Sequence, residues 1–256
     1  MSAWTLQRFL QECGLASRRE IRRWIHDGRF QVKDQPVTDP NFPLRHPGDA
    51  VRFDGRLLKL VPQRKSYIVL NKPSGFVSTL ADPEGRPTVA ALLRRIRERV
   101  YPVGRLDFHS DGLMLLTNDG ELAHFILAAR NGVPKTYLLK IKGTLSDAER
   151  ARLERGIVLD GERLNPFAIQ PLSTTGGGNS WLRVTIREGK KHILRRAFQY
   201  SGHPVEKLRR VAIGSIKLGK LPAGEWRELR PEEIEQFKKL YRYRDARRST
   251  VEVGKR

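Results

Sequence analysis

The sequence predicts an α+β protein: a small α/β module followed by a larger domain on a mainly antiparallel mixed sheet. Three observations carry this. Residues 4–28 hold two short helical patterns, and two short strands follow them. From residue 67 onward, period-two and fully apolar runs recur between Gly, Pro, Asn and Asp. Helical patterns fall singly among those runs. A chain of 256 residues has room for two domains. The expected boundaries are 1–60 for the module, 61–66 for a linker, 67–233 for the main domain and 234–256 for a basic C-terminal tail.

The elements follow in order. "TLQRFLQEC" reads as a helix with Leu6, Phe9 and Leu10 on one face. Ser17 and Glu20 form a capping-box pattern for "RREIRRWIHDG", which stops at Gly28. Ile21, Trp24 and Ile25 make its apolar stripe, and Arg18, Arg19, Arg22 and Arg23 line the other side at i,i+4 spacing. "RFQV" and "HPGDAVRFDG" supply strands and a turn. In the main domain "YIVL" is a buried strand ended by the turn "NKPSG". "PTVAALLRRIRERV" is a helix candidate. A "DG" turn leads into the strand "LMLLT", and "NDG" leads into the helix "ELAHFILAAR". "KTYLLKIKG" is a strand, "DAERARLERG" a helix capped by Ser146 and Glu149, and "IVLDGERL" a hairpin. In "WLRVTIREG", Leu182, Val184 and Ile186 alternate with Arg183, Thr185 and Arg187. Such a strand gives its sheet one apolar and one basic face, and a basic face suits an RNA backbone. "KKHILRRAFQYSG" is a helix with Ile193, Leu194, Ala197 and Phe198 inward, and "VEKLRRVAIGSI" is a further strand. The tail "RYRDARRSTVEVGKR" is polar, basic and expected to be mobile.

Charge narrows the partner. The chain holds 49 Lys and Arg against 28 Asp and Glu, a net charge of +21. Residues 183–220 alone carry 11 basic and 2 acidic side chains, and residues 234–256 carry 8 and 3. Clustered positive charge points to nucleic acid. No apolar run approaches the length of a membrane span, and the N-terminus lacks a signal-peptide pattern. A single cysteine, Cys13, excludes internal disulfides and cysteine-based zinc sites and reads as a small buried residue. The expected compartment is the cytoplasm.

The stretch "GRLDFHSDGLMLLTNDG", residues 104–120, poses the main question. As a calcium loop it fails, because His109, Leu115 and Asn118 stand where oxygen ligands belong. The six histidines form no HxxxH or HExxH pair, and no metal site is expected. There is no GxSxG elbow, no GxxxxGK[ST] loop and no GxGxxG loop, so nucleotide cofactors are unsupported. A plain hairpin accounts for Asp111 and Asp119, each before a glycine. It does not account for Asp107, which lies between Leu106 and Phe108, with Arg105 two positions back. A carboxylate among apolar residues costs free energy unless it is paired or used. Spacing alone leaves catalysis and a structural ion pair with Arg105 both open.

These residues resemble a known family. "GRLDFHSDGLMLLTNDGELAH" is similar to the signature of bacterial rRNA pseudouridine synthases, the branch acting on small- and large-subunit rRNA. "YIVLNKPSG", "KTY" at 135–137, "REGKKHILRRAF" and "GHPVEKLRRVAIGSIKLGKLPAGEWREL" resemble the family's other motifs in the family's order. "LQRFLQECGLASRREIRRWIHDGRF" resembles the ribosomal-protein-S-four-like RNA-binding domain. Together they cover most of residues 4–233, and "GGGNSWLRVTIREGK" leans towards the large-subunit synthase B type.

The resemblance implies an α/β RNA-binding module followed by a pseudouridine synthase catalytic domain, in a monomer without cofactor. It implies a reaction that isomerises uridine in ribosomal RNA, with large-subunit rRNA favoured. Asp107 is the implied catalytic carboxylate. Tyr137 would pack on the uracil and help remove the C5 proton, Arg195 would be the basic partner of Asp107, and Arg105 would fill the space left by a flipped nucleotide. Arg18, Arg19, Arg22, Arg23, Lys72, Arg183, Arg187, Lys190, Lys191 and Arg196 are the expected RNA contacts. A guanidinium beside a half-buried carboxylate holds it in the charged form that the reaction needs. Two departures stand out: Ile193 occupies a position where the family often has Gln, and Lys33–Asp34 replace the usual Asn–Gly turn. The alternative function is a non-catalytic ribosome-assembly factor with the same fold. A DNA-binding regulator is a third, without a dimerisation segment or a clear recognition helix.

Overall fold

The structure is a computed structural model that describes residues 4–45, 48–59 and 64–243. Two compact units divide after Lys65. Residues 60–63 lie outside the described residues, and with them half of the expected 61–66 linker. Ser66 itself belongs to the second unit: its N–H donates to Asn118 Oδ1 at 2.9 Å, and its carbonyl accepts from Thr117 Oγ1 at 2.6 Å.

In the first unit, β1 (Trp4–Thr5) leads directly into α1 (Leu6–Glu12), and α2 (Arg18–His26) follows. Next come β2 (Phe30–Val32), β3 (Gln35–Pro36), β4 (Pro43–Leu44), β5 (Val51–Phe53) and β6 (Arg56–Leu57). β1 pairs with β4, and the other strands form a sheet in the order β3-β2-β5-β6. Ser17 and Glu20 cap α2 reciprocally, at 3.2 and 3.0 Å, as the pattern of the two residues requires. Leu6, Leu10, Ile21, Ile25 and Phe30 form the core, which leaves Arg18, Arg19, Arg22 and Arg23 exposed on the far side of α2. Lys33 and Asp34 both take left-handed backbone, φ 52° and 63°. A two-residue hairpin demands this and Asn–Gly supplies it most readily. Here the ion pairs Lys33–Asp49 (3.0 Å) and Arg52–Asp34 (2.8 Å) support the turn.

The second unit is built on β7 (Tyr67–Lys72), β8 (Tyr101–Pro102), β9 (Asp111–Thr117), α3 (Gly120–Leu127), β10 (Lys135–Ile141) and α4 (Asp147–Glu154). It continues through β11 (Val158–Leu159), β12 (Glu162–Arg163), β13 (Ala168–Thr174), β14 (Ser180–Ile186) and α5 (Ile193–Tyr200). It ends with β15 (Val205–Ile213), β16 (Ile216–Lys217), β17 (Trp226–Glu228) and α6 (Pro231–Leu240). Nine strands form one sheet, ordered β13-β14-β10-β15-β9-β7-β17, with β16 on β15 and β8 on β9. Only the β15–β9 pair is parallel. Alternation along each strand feeds two cores. Leu70, Met114, Leu139 and Val184 meet Leu194 and Phe198 of α5 on one face. Val69, Leu113 and Leu115 meet Leu122 and Ile126 of α3 and Ile234 and Phe237 of α6 on the other. No helix among the described residues is long and apolar enough to cross a membrane.

Four sequence expectations are corrected here. "PTVAALLRRIRERV" gives only a single 3₁₀ turn, Val89–Leu92. Val89 and Leu93 are buried, but Arg94, Arg95, Arg97 and Arg99 would crowd like charge along the next two turns of a helix. Asp111–Gly112 is the start of β9, not a turn: Gly112 has φ 102°, and a Cβ there would lie 2.2 Å from the Arg210 carbonyl of β15. Asp119 is the N-cap of α3, accepting from Leu122 N at 3.2 Å. The boundary expected at 233 falls inside α6, whose Ile234 and Phe237 are core residues. Of the segment expected to be mobile, 242–256, residues 244–256 lie outside the described residues, while Tyr243 packs edge-on against Phe125 at 5.1 Å between ring centroids.

Candidate active site

Residues 103–110 join β8 to β9, and four bonds fix this loop. Val103 N donates to Leu115 O (2.7 Å), and Leu106 N to Ser78 Oγ (3.0 Å). Gly75 N donates to Phe108 O (2.8 Å), and Lys72 Nζ to Ser110 O (2.8 Å). Asp107 sits at the centre of this scaffold. Its Oδ1 lies 3.2 Å from His192 Nε2, and its Oδ2 lies 3.9 Å from Arg195 Nε and 3.5 Å from Ser110 Oγ. The carboxylate is one-third exposed, so it is neither sealed in the core nor free in water. Arg195 is held in turn, donating to Val205 O at 3.0 Å and reaching Ser110 Oγ at 3.5 Å. Asp107's ionic partners are thus His192 and Arg195, not Arg105.

Asp107 opens onto a cavity of about 150 Å³ that Tyr137, Arg105, Ile193 and Leu208 also line. Tyr137 comes from β10, is only 9% exposed and lines the cavity. The floor holds two buried cations, Lys135 and Arg210. Lys135 Nζ donates to Ile126 O at 3.3 Å, and burial together with the nearby Arg210 pushes its ammonium pKa down. Arg210 Nε donates to Leu113 O at 2.7 Å, while one of its terminal nitrogens is buried without a hydrogen-bond partner. Among the described residues neither cation makes an ion pair, although Asp107 and Glu188 line the same cavity, and the unpaired Arg210 nitrogen suits a ligand oxygen that carries negative charge. A separate hollow of about 740 Å³ between β16 and α6 contains none of these groups.

The remaining sequence candidates divide clearly. Arg105 is exposed at the rim, and Lys190 lines the cavity while held by Glu162 (3.0 Å) and Glu188 (3.2 Å). Lys191 is exposed beside it. Arg196 turns away to pair with Asp160, and Arg187 donates to Gly132 O at 2.7 Å. Arg183 stands on the opposite face of the sheet. Lys72, expected at the RNA surface, is fully buried, its Nζ donating to Pro73 O and Ser110 O. Burial pushes its pKa down to about 8, opposed by Asp111 and Asp107. It braces the Asp107 loop and cannot meet RNA. The sequence reading missed His192, which caps α5 in left-handed backbone, φ 51°. Its three-residue spacing from Arg195 was the available signal, since that spacing stacks side chains on one side of a turn. Among the described residues no group of three His, Cys, Asp or Glu could hold a metal ion.

Comparison with known proteins identifies both parts of the chain. The sequence profile described as RNA pseudouridylate synthase matches residues 66–200, and the S4 domain profile matches residues 4–51. An uncharacterized RNA pseudouridine synthase of Aquifex aeolicus is 42% identical over 233 residues, 91% of this chain and 92% of its own. Ribosomal large subunit pseudouridine synthase B of Bacillus subtilis is 35% identical over 236 residues, covering 92% of this chain and 96% of its own. A crystal structure of a pseudouridylate synthase superposes with a TM-score of 0.65 at 28% identity, over 92% of this chain and all of that one. A carboxylate loop, a cavity tyrosine and an S4 module therefore sit in a chain that belongs to the RNA pseudouridine synthase family.

Proposed function

We propose that this protein isomerises uridine to pseudouridine in ribosomal RNA, that of the large subunit, with Asp107 as the catalytic carboxylate. The observation that carries this is the Asp107 carboxylate at the mouth of a cavity walled by Tyr137, with Arg195 and His192 at its two oxygens. The reaction breaks the C1′–N1 bond, turns the uracil and joins C5 to C1′; the proton lost from C5 balances the one gained at N1. Nothing is oxidised and no group is added, so the chemistry needs neither metal nor cofactor. Asp107 acts at the ribose, with the Arg195 guanidinium 3.9 Å from its Oδ2. Tyr137 packs on the everted base and helps to take the C5 proton. Arg105, exposed at the rim, fills the gap left in the RNA stack and offsets part of the cost of flipping. Lys135 and Arg210 suit the base carbonyls, where negative charge grows as the glycosidic bond breaks.

The exposed arginines of α2 anchor the RNA, and residues 1–60 serve as that anchoring module. Lys190 and Lys191 extend the contact beside the cavity. The large-subunit assignment rests on the printed name of the Bacillus subtilis relative, and we take the protein to act in the cytoplasm as a monomer. Incubating purified protein with large- and small-subunit rRNA transcripts in EDTA, then mapping pseudouridine, tests the proposal. Conversion of defined large-subunit uridines is the expected result. Absence of any product, or an absolute metal requirement, would refute it.

A further inference from the structure

The two cores leave part of the catalytic sheet uncovered. α3 and α6 lie over the outer face of β7 and β9 and over the end of β15 at Ile213. No element of the described residues belonging to either core covers the outer face of β10 and β14. Tyr137, Leu139 and Ile141 point inward along β10, so Thr136, Leu138 and Lys140 point outward. Pairing register extends this face sideways. Leu138 is opposite Arg183 on one side and Arg209 on the other. Two residues along, Lys140 is opposite Trp181 and Lys207. Directly opposed residues share a face, so four cations stand in two adjacent rows around Leu138 and Trp181.

The charge here is one-sided. The outward positions of β10 and β14 are Thr136, Leu138, Lys140, Trp181, Arg183 and Thr185, and none is acidic. Arg183, Lys207 and Arg209 are exposed. Two of the four cations have a carboxylate partner, Lys140 with Glu206 at 2.8 Å and Arg209 with Asp111 at 3.6 Å, which leaves Arg183 and Lys207 without one among the described residues. Arg183 bonds only a neutral neighbour, Gln170 Oε1, at 3.0 Å. Cations held apart by a flat sheet, with an indole and an aliphatic side chain between them, complement a phosphate backbone and the sugars and bases it carries.

We infer that this outer sheet face is a second RNA-binding surface, taking a part of the substrate RNA remote from the uridine in the Asp107 cavity. The inference rests on the proposed activity on ribosomal RNA. Leu138 and Arg183 stand on the face opposite Tyr137, and the patch comes nearest the Asp107 loop at Arg209, whose partner Asp111 follows Ser110, so RNA seated at Asp107 reaches Arg183 and Lys207 by passing Arg209. A long, folded RNA can do so and a short hairpin cannot.

The test uses the full chain with Lys207→Gln and Arg209→Gln combined, and Lys207→Glu alone as a variant that leaves Asp111 its partner. Two RNAs are compared: a full-length large-subunit rRNA transcript, and a short hairpin excised around the modified uridine. For the transcript, affinity falls about tenfold, and the double variant lowers the salt-dependence slope by about 2. Isomerisation of the hairpin stays within twofold of wild type. Lys207→Arg with Arg209→Lys restores transcript binding. Unchanged transcript affinity and slope in both variants would overturn the inference. So would poly-glutamate binding that the variants abolish while RNA binding persists, because the face would then serve an acidic protein. A wild-type protein that binds transcript but isomerises neither RNA would refute the proposed function and leave this surface standing.

Discussion

At the scale of single residues, the site is a carboxylate whose charge is managed by its neighbours. Arg195 approaches one oxygen of Asp107 and His192 approaches the other. Asp107, Tyr137 and Arg195 were legible in the sequence because an aspartate between apolar residues, and the family motifs around it, singled them out. His192 was not, because its left-handed backbone, which turns the ring to Asp107, has no mark in a sequence where glycine is the usual signal. A hydrogen bond to a charged group is worth about 1.5–3 kcal/mol. His192→Ala is therefore expected to lower kcat by about tenfold or more with KM little changed, and His192→Gln, which keeps a donor, to recover part of it. Single-turnover kinetics on one RNA checks this; a pure KM effect would show that His192 binds RNA and does not position Asp107.

At the scale of elements, β8 and β9 carry the loop that presents Asp107, and Lys72 at the end of β7 ties to it through the Ser110 carbonyl. Strand alternation and the capping boxes at Ser17 and Ser146 could be read from periodicity and polar caps, whereas the helix expected over PTVAALLRRIRERV is only a 3₁₀ turn. The fate of Lys72 could not. A lysine at the end of an apolar strand reads as a surface charge, and only the close packing of the 103–110 loop over it shows otherwise. Its buried ammonium has a pKa lowered from 10.5 to about 8. Between those values the unfolded chain keeps a proton that the folded chain releases, so stability from this group rises as pH increases through that window. Lys72→Met, similar in shape, removes this rise. Urea unfolding midpoints of wild type and variant from pH 7.5 to 10.5, roughly the window the shifted group spans, check the sign. Parallel pH profiles would contradict the burial account.

At the scale of the whole molecule, a net charge of +21 is divided among distinct surfaces. Composition announced a polyanionic partner, and the arginine comb of α2 could be read from its i,i+4 spacing. Composition could not say which cations are already paired. Arg196 and Lys190 are held by Asp160, Glu162 and Glu188, whereas the α2 arginines stand exposed. Arg19→Gln combined with Arg22→Gln is expected to raise KM for rRNA and to lower the salt slope by about 2. Titration of RNA binding from low to high salt measures it; an unchanged slope would place the phosphate contacts elsewhere.

The central claim is that one carboxylate performs the isomerisation. Asp107→Asn keeps the size and the hydrogen bonds of the loop and removes the charge. Measured by pseudouridine formation in rRNA under single-turnover conditions, it is expected to bind RNA as wild type does and to form no detectable product. A variant that still converts uridine at the wild-type rate would contradict the account.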